Sequence, residues 1–282
     1  QIDLLDVVNG GQLYLNDKSD LEVLLITKAI NSNIQNRGQL RGAQLFLEDS
    51  EFKNFNTVNF SSEIKSKKGK IINNGKIQAK KISIDQTKIN GLGEFVSDEF
   101  INAGIINAGE DDNSIGNIIF KTKFLNKGII EIDLNSKGES DLLTIDNLLL
   151  GGDLVINPLS DFYKGNSHYR ILTFKERNNS NFSRIDVPTK EFGRLITNFS
   201  YVDNALELVL LNPSYELLGS SEKSKLIGKY IDNFSKNTNH NFQEILDQVN
   251  YVSNDFEASS HIENIVLSNN YFPLIDKLNS YE

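Results

Sequence analysis

Asn126-Lys127-Gly128-Ile129-Ile130-Glu131-Ile132-Asp133-Leu134 carries the pattern that decides the fold. Its Asn-x-Gly start marks a turn, because both residue types tolerate positive φ. Behind the turn, Ile130, Ile132 and Leu134 alternate with Glu131 and Asp133, the period of a strand with one buried face. The same start recurs at Asn9-Gly10-Gly11, Asn36-Arg37-Gly38, Asn73-Asn74-Gly75 and Asn102-Ala103-Gly104, with 27, 37, 29 and 24 residues between successive Asn positions. Short alternating stretches include Leu13 and Leu15, Ile77 and Ala79, and Ile118 and Phe120.

Units of this size cannot bury their own apolar faces, so a loose repeat of them predicts a stacked solenoid. Residues 1–212 show almost no helical spacing; Leu21 to Ile30 comes nearest. The expectation is therefore all-β, a parallel β-helix whose loops of varying length leave at the corners. The recurrent Asn would stack as ladders between coils. A β-sandwich with Asn-Gly hairpins is the alternative. The densest alternation falls in Ile118–Leu211, whereas residues 50–100 are rich in Lys and Asn and read as weaker strands.

After Pro213 the period changes. Leu226, Ile227, Tyr230, Ile231 and Phe234 form one helical stripe, and Phe242, Ile245, Leu246 and Val249 a second. Asn241 with Glu244, and Ser260 with Glu263, have the spacing of capping boxes. Residues 213–282 thus read as a short α-helical tail.

The chain holds no Cys, which removes disulfides, zinc–thiolate sites and thiol catalysis. Its net charge of −9 argues against nucleic acid as a partner. No apolar run approaches the ~20 residues of a membrane-spanning helix. The absence of Met and the opening Gln1-Ile2-Asp3, which lacks a secretory-signal profile, read as a fragment.

One further series of motifs runs through residues 102–212. Asn102-Ala103-Gly104-Ile105 leads to Ser114-Ile115-Gly116-Asn117-Ile118, then to Gly128-Ile129-Ile130-Glu131-Ile132 and Ser140-Asp141-Leu142-Leu143-Thr144-Ile145. Leu150-Gly151-Gly152-Asp153-Leu154-Val155-Ile156 and Gly165-Asn166-Ser167-His168-Tyr169-Arg170-Ile171-Leu172 follow, with Ala205-Leu206-Glu207-Leu208 closing the series. This order resembles the C-terminal end of autotransporter (type V secretion) passenger domains.

The resemblance implies a right-handed parallel β-helix that crosses the inner and then the outer membrane. It divides the chain into coils at 1–117, an autochaperone-like cap at 118–212 and a helical linker at 213–282 leading to a β-barrel that is not in the sequence. The folding nucleus it implies takes in Ile118, Phe120, Ile132, Leu143, Ile145, Gly151, Gly152, Leu154, Ile156, Tyr169, Ile171 and Leu208. The implied place is secreted or on the outer face of the outer membrane. The chain's own barrel would be its partner during export. A lack of Cys suits such export, since a periplasmic disulfide would hinder an extended chain.

Read as chemistry, the chain shows no catalytic, cofactor-binding or metal set. There is no G-x-S-x-G. The three His, His168, His240 and His261, are scattered, and surface positions are expected for them, His168 in a turn. Asp141 reads as a turn residue with an Asx-type bond, calcium ligation being the alternative. Glu110-Asp111-Asp112 reads as a solvated acidic corner. The exception in charge is Lys65, Lys67, Lys68, Lys70, Lys76, Lys80 and Lys81, seven Lys within 17 residues with one acid, Glu63, close by. Exposed strand Lys blocks edge-to-edge association; the sharper reading is attachment to an anionic cell surface.

The function expected is that of a virulence factor touching host cells as an adhesin or receptor ligand, its partner a cell-surface protein or glycan. The alternatives are the stalk of a passenger whose N-terminal hydrolase is missing, or a self-associating or pore-forming toxin. No enzyme is expected within these residues.

Overall fold

The computed structural model describes residues 2–188, 190–234, 246–252 and 254–267. Among them the chain is mostly β-strand, with a few helices near the C-terminus. The strands are β1 (Ile2–Val8), β2 (Gln12–Leu15), β3 (Asp20–Ile30), β4 (Asn33–Asn36), β5 (Gln39–Glu48), β6 (Glu51–Asn54) and β7 (Thr57–Lys67). Next come β8 (Lys70–Asn73), β9 (Lys76–Gln78), β10 (Lys81–Asn90), β11 (Glu94–Asn107), β12 (Asn117–Asn126) and β13 (Ile129–Leu134). The last are β14 (Leu142–Leu149), β15 (Asp153–Pro158), β16 (Ser167–Arg177), β17 (Arg184–Asp186), β18 (Ile196–Val202) and β19 (Ala205–Leu211).

Two compact units share the chain. The first comprises Gln1–Leu159, Tyr169–Val187 and Ser200–Glu207; the second comprises Ser160–His168, Pro188–Phe199 and Leu208–Glu282.

In the first unit strands pair in parallel with the strand two places further on: β3 with β5, β5 with β7, β4 with β6, β12 with β14, β13 with β15. Parallel pairing in register stacks like positions on like positions, so inward residues form columns. One column runs Leu40, Val58, Ile77, Phe95, Phe120, Ile145, all at most 2% exposed. Another runs Leu45, Ile64, Ile82, Phe100, Phe124, Leu148. Phe95 stacks on Phe120 with centroids 5.2 Å apart and planes at 10°, and Phe100 on Phe124 at 5.4 Å and 16°. Each buried aromatic or branched side chain contributes about 1.5–3 kcal/mol through removal from water.

The stretch 50–100 differs from its sequence expectation. Its strands are as fully buried on one face as those further on: Phe52, Val58, Phe60, Ile64, Ile71, Ile77, Ile82, Ile89 and Phe95 are all at most 2% exposed. The Lys and Asn that weakened the reading occupy the other face or the buried polar columns, so they do not interrupt the core.

The Asn-x-Gly starts are real landmarks, but positive φ explains only the first. Asn9 lies at φ 51°, whereas Asn36, Asn73, Asn102 and Asn126 do not have positive φ. These four are instead fully buried and hydrogen-bonded side chain to side chain or to backbone. Nor does Gly128 need unusual backbone angles: a Cβ there would collide with the carbonyl oxygen of Gly104, one turn of chain earlier. Gly75 stands in the same relation to the carbonyl of Asn56. Close approach of successive backbones selects these glycines.

In the second unit, α1 (Tyr215–Leu218), α2 (Glu222–Phe234) and α3 (Asp255–Leu267) join the helical segment 246–250. Their apolar cluster is Tyr215, Ile227, Ile231, Leu246, Val249, Ala258, Ile262 and Ile265. Ser221 caps α2, its Oγ accepting from Ser224 N–H at 2.9 Å. Leu226, expected within the apolar stripe, is 56% exposed; it lies beside rather than within the i, i+4 line from Ile227 to Ile231.

The cap expected at Ser260 is absent because α3 starts earlier. Asn254 Oδ1 accepts from Glu257 N–H at 2.9 Å, leaving Ser260 inside the helix and exposed. His261 is likewise exposed in mid-helix rather than at a helix start. His240, Phe242 and Ile245, and the box at Asn241 and Glu244, lie outside the described residues.

Candidate functional site

The outward faces of the first unit carry the charges. On β7 Ile64 and Ser66 point inward while Lys65 and Lys67 are exposed, as period-2 geometry requires. The parallel register then decides their neighbours. Lys67 lies between Glu48 and Asp85. Lys81 lies between Glu63 and Glu99, pairing with Glu99 at 2.8 Å, while Lys65 pairs with Glu63 at 2.9 Å. Lys76 lies between Thr57 and Glu94, and Lys70 between Glu51 and Lys88.

The seven Lys therefore do not share one basic stripe. Lys67, Lys76 and Lys81 stand in columns beside acids of neighbouring strands, most clearly in Glu63, Lys81, Glu99, Lys123, whereas Lys70 has Glu51 on one side and Lys88 on the other. Glu99, hydrogen-bonded by Lys81, is held below the ordinary carboxylate range. Lys68, at φ 52°, and Lys80 sit exposed in turns. Counting acids only along the sequence found Glu63 and missed Glu48, Glu51, Asp85, Glu94 and Glu99, each 18 or 19 positions along the chain from the Lys it meets. Exposed pairs of this kind contribute about 0–1 kcal/mol each, so their effect is on surface potential rather than stability.

Beside these columns a shallow cleft of about 270 Å³ is lined by Glu22, Leu24, Arg41, Asn59 and Ser61. Arg41 is held bidentate by Asp20 at 2.7 and 2.8 Å, which fixes its guanidinium at the rim. Such an edge offers hydrogen bonds and one oriented cation to a polar partner.

Apart from Gly151 and Gly152, which are partly exposed, the residues named as a folding nucleus are buried. Ile118, Phe120, Ile132, Leu143, Leu154, Ile171 and Leu208 are 0% exposed, and Ile145, Ile156 and Tyr169 are 1% exposed. Gly152 has φ 59° between β14 and β15, and a Cβ there would meet the carbonyl oxygen of Gly128. Gly151 precedes it and is partly exposed. Tyr169 donates its hydroxyl to the carbonyl oxygen of Asn135 at 2.9 Å.

A second charged group is partly buried, with Asp112 at its exposed end. Lys88 joins Asp112 at 3.0 Å and Glu131 at 3.1 Å. Burial opposes its charge, but the hydrogen bonds to Asp112 and Glu131 outweigh burial and raise its pKa. Asp112 is thus anchored by Lys88 rather than being a free part of an acidic corner. Next to this group Asp133 and Asp141 are both 0% exposed. Asp141 makes no local Asx bond: its Oδ1 accepts from Gly116 N–H at 2.8 Å and its Oδ2 from Asp133 N–H at 2.9 Å. Burial pushes Asp141 up to about 8 and Asp133 up to about 6. The alternation placed Asp133 on the outer face, but its side chain is buried and accepts from the Asn157 amide at 3.1 Å. Among the described residues no group of three or more His, Cys, Asp or Glu could hold a metal ion. His168 is exposed, on β16 rather than in the turn before it.

No protein-family model matches the chain, and comparison with curated proteins finds no match either.

Proposed function

We propose that the chain is the passenger part of an autotransporter: a right-handed parallel β-helix with a helical linker, displayed on or released from the bacterial surface, where it contacts host cells as an adhesin or receptor ligand. The observation that carries the reading is one column. Asp20, Gln39, Thr57, Lys76, Glu94, Ile119, Thr144 and Thr173 are successive register partners on parallel strands. Repeated parallel pairing of this kind suits a coil, and parallel crossovers are right-handed in about 98% of cases. The motif order through residues 102–212 supports the family assignment.

A regular face with mixed, interleaved charge favours recognition of a protein surface over simple adsorption to a polyanion. The test is binding of the labelled chain to cultured host epithelial cells. Saturable binding that unlabelled chain competes away supports the proposal; binding no greater than that of an unrelated β-rich protein rejects it.

Self-association is the second reading, favoured by the exposure of Leu4 (61%), Tyr14 (59%) and Val8 (43%) on β1 and β2. Exposed apolar strand residues are association surfaces. Ultracentrifugation of the chain against Leu4→Lys distinguishes the readings: a concentration-dependent dimer lost on substitution favours self-association.

A further inference from the structure

We propose that Asp133 and Asp141 form a buried proton-binding pair that makes the β13–β15 region firmest in acid and loosens it as the surroundings turn alkaline. Both carboxyls are fully buried, and among the described residues neither forms an ion pair. Asp133 Oδ1 accepts from Asn157 Nδ2 at 3.1 Å and the Asn107 amide also favours its charged form, but burial outweighs both and no donor reaches its Oδ2 in hydrogen-bond geometry. Asp141 already accepts two backbone N–H groups, with the Asn107 amide at 3.5 Å.

The nearest cation is committed elsewhere. Lys88 faces this region but is held by Glu131 and Asp112, and Glu131 itself adds negative charge beside Asp133. Two ionised carboxylates here would bury two charges and leave Asp133 Oδ2 an unsolvated acceptor in the field of Glu131, which burial makes costly. A proton held at either carboxyl removes one buried charge, and on Asp133 it removes the charge that the unpartnered Oδ2 leaves unsolvated. The two groups are linked through the Asp133 N–H, which Asp141 Oδ2 accepts, so a charge on one acts on the other across a single residue.

The direction follows from linkage. Both groups hold protons more tightly folded than unfolded, where a carboxyl of this type titrates near 3.9. Their contribution is complete below about pH 4 and is lost as pH rises through about 6 and about 8. Asp133→Asn is the conservative variant, because its amide nitrogen can replace the unpartnered Oδ2 while its oxygen still accepts from Asn157.

The experiment measures thermal midpoints of the chain and of Asp133→Asn from pH 5 to pH 9, with carboxyl carbon NMR titration of the unsubstituted chain. The midpoint should fall with pH by on the order of 5 °C more in the unsubstituted chain than in Asp133→Asn, and an Asp carboxyl should titrate above pH 6. Parallel pH profiles, or all Asp carboxyls titrating in the ordinary range, overturn the proposal. If Asp133→Asn does not fold, the NMR titration alone decides. A rise in midpoint on adding calcium chloride, reversed by chelator and lost in Asp133→Asn, would also overturn it by showing that a cation rather than a proton fills the pair.

Discussion

The side-chain amide of Asn54 donates to Oδ1 of Asn73 at 2.8 Å, 19 residues along the chain and wholly inside the protein. Asn36 donates to Asn54 in the same way at 2.8 Å, 18 residues earlier. Each Asn also donates to a backbone carbonyl, Asn36 to Thr57 and Asn54 to Lys76. The column thus satisfies turn backbone groups that burial would otherwise leave without partners, and it penalises any slip of one strand past the next.

Removing one rung should be costly. Asn54→Ala strands the donor that Asn36 aims at it and leaves Asn73 Oδ1 with the Gly75 N–H alone, so urea denaturation should show a loss of about 1–3 kcal/mol. Asn33→Ala, at an exposed position of β4, should change stability by no more than about 0.5 kcal/mol. Equal losses would mean that the buried column is not a stabilising feature.

A glycine pair separates close approach from backbone freedom. At Gly128 an added Cβ meets backbone, which cannot move aside, whereas at Gly138 nothing lies within 4 Å. Gly138→Ala should cost only the strain of its φ of 87°, about 1–2 kcal/mol. Gly128→Ala should cost more than that and lower the denaturation midpoint further; the reverse order contradicts the packing described.

Strand phase is tested on β15. Leu154 is fully buried and its neighbour Val155 half-buried on the other face. Leu154→Asp loses about 2 kcal/mol of apolar burial and adds several for an unpaired buried carboxylate, enough to unfold a domain of ordinary stability. Val155→Asp, flanked in register by Glu131 and Asp186, should cost about 1 kcal/mol through like-charge proximity. In an exported form carrying an outer-membrane barrel, only Leu154→Asp should lose surface display.

The charged columns predict weak binding to polyanions. Lys65→Gln, Lys67→Gln and Lys81→Gln combined should leave heparin retention nearly unchanged, because each Lys lies beside an acid. A large drop in the salt needed for elution would restore the basic-stripe reading.

Much of this architecture was legible because period 2 is a local property: Ile118 and Phe120, or Ile130 and Ile132, show their buried face without knowledge of partners. Register is not local. The 37-residue interval from Asn36 to Asn73 looked like one long repeat, yet it spans two steps of 18 and 19 residues with Asn54 between them. Asn54 escaped notice because Asn56, not Gly, follows two residues later. The Lys group misled for the same reason, since Lys67 meets Glu48 and Asp85 only after the strands are stacked. Asp133 kept strand alternation in sequence but is buried, where the amide of Asn157 from 24 residues further on meets it, a partner the pattern does not encode.

The stacking itself is best measured by spin-label distances, which the Cys-free chain makes clean. Thr173→Cys would be paired in turn with Glu94→Cys, Thr57→Cys and Asp20→Cys, three, five and seven register steps away. At about 4.8 Å per step, backbone separations of about 14, 24 and 34 Å follow, rising in equal increments. Distances that rise in this even series establish one parallel stack from Asp20 to Thr173; distances that fail to increase with the number of steps contradict it.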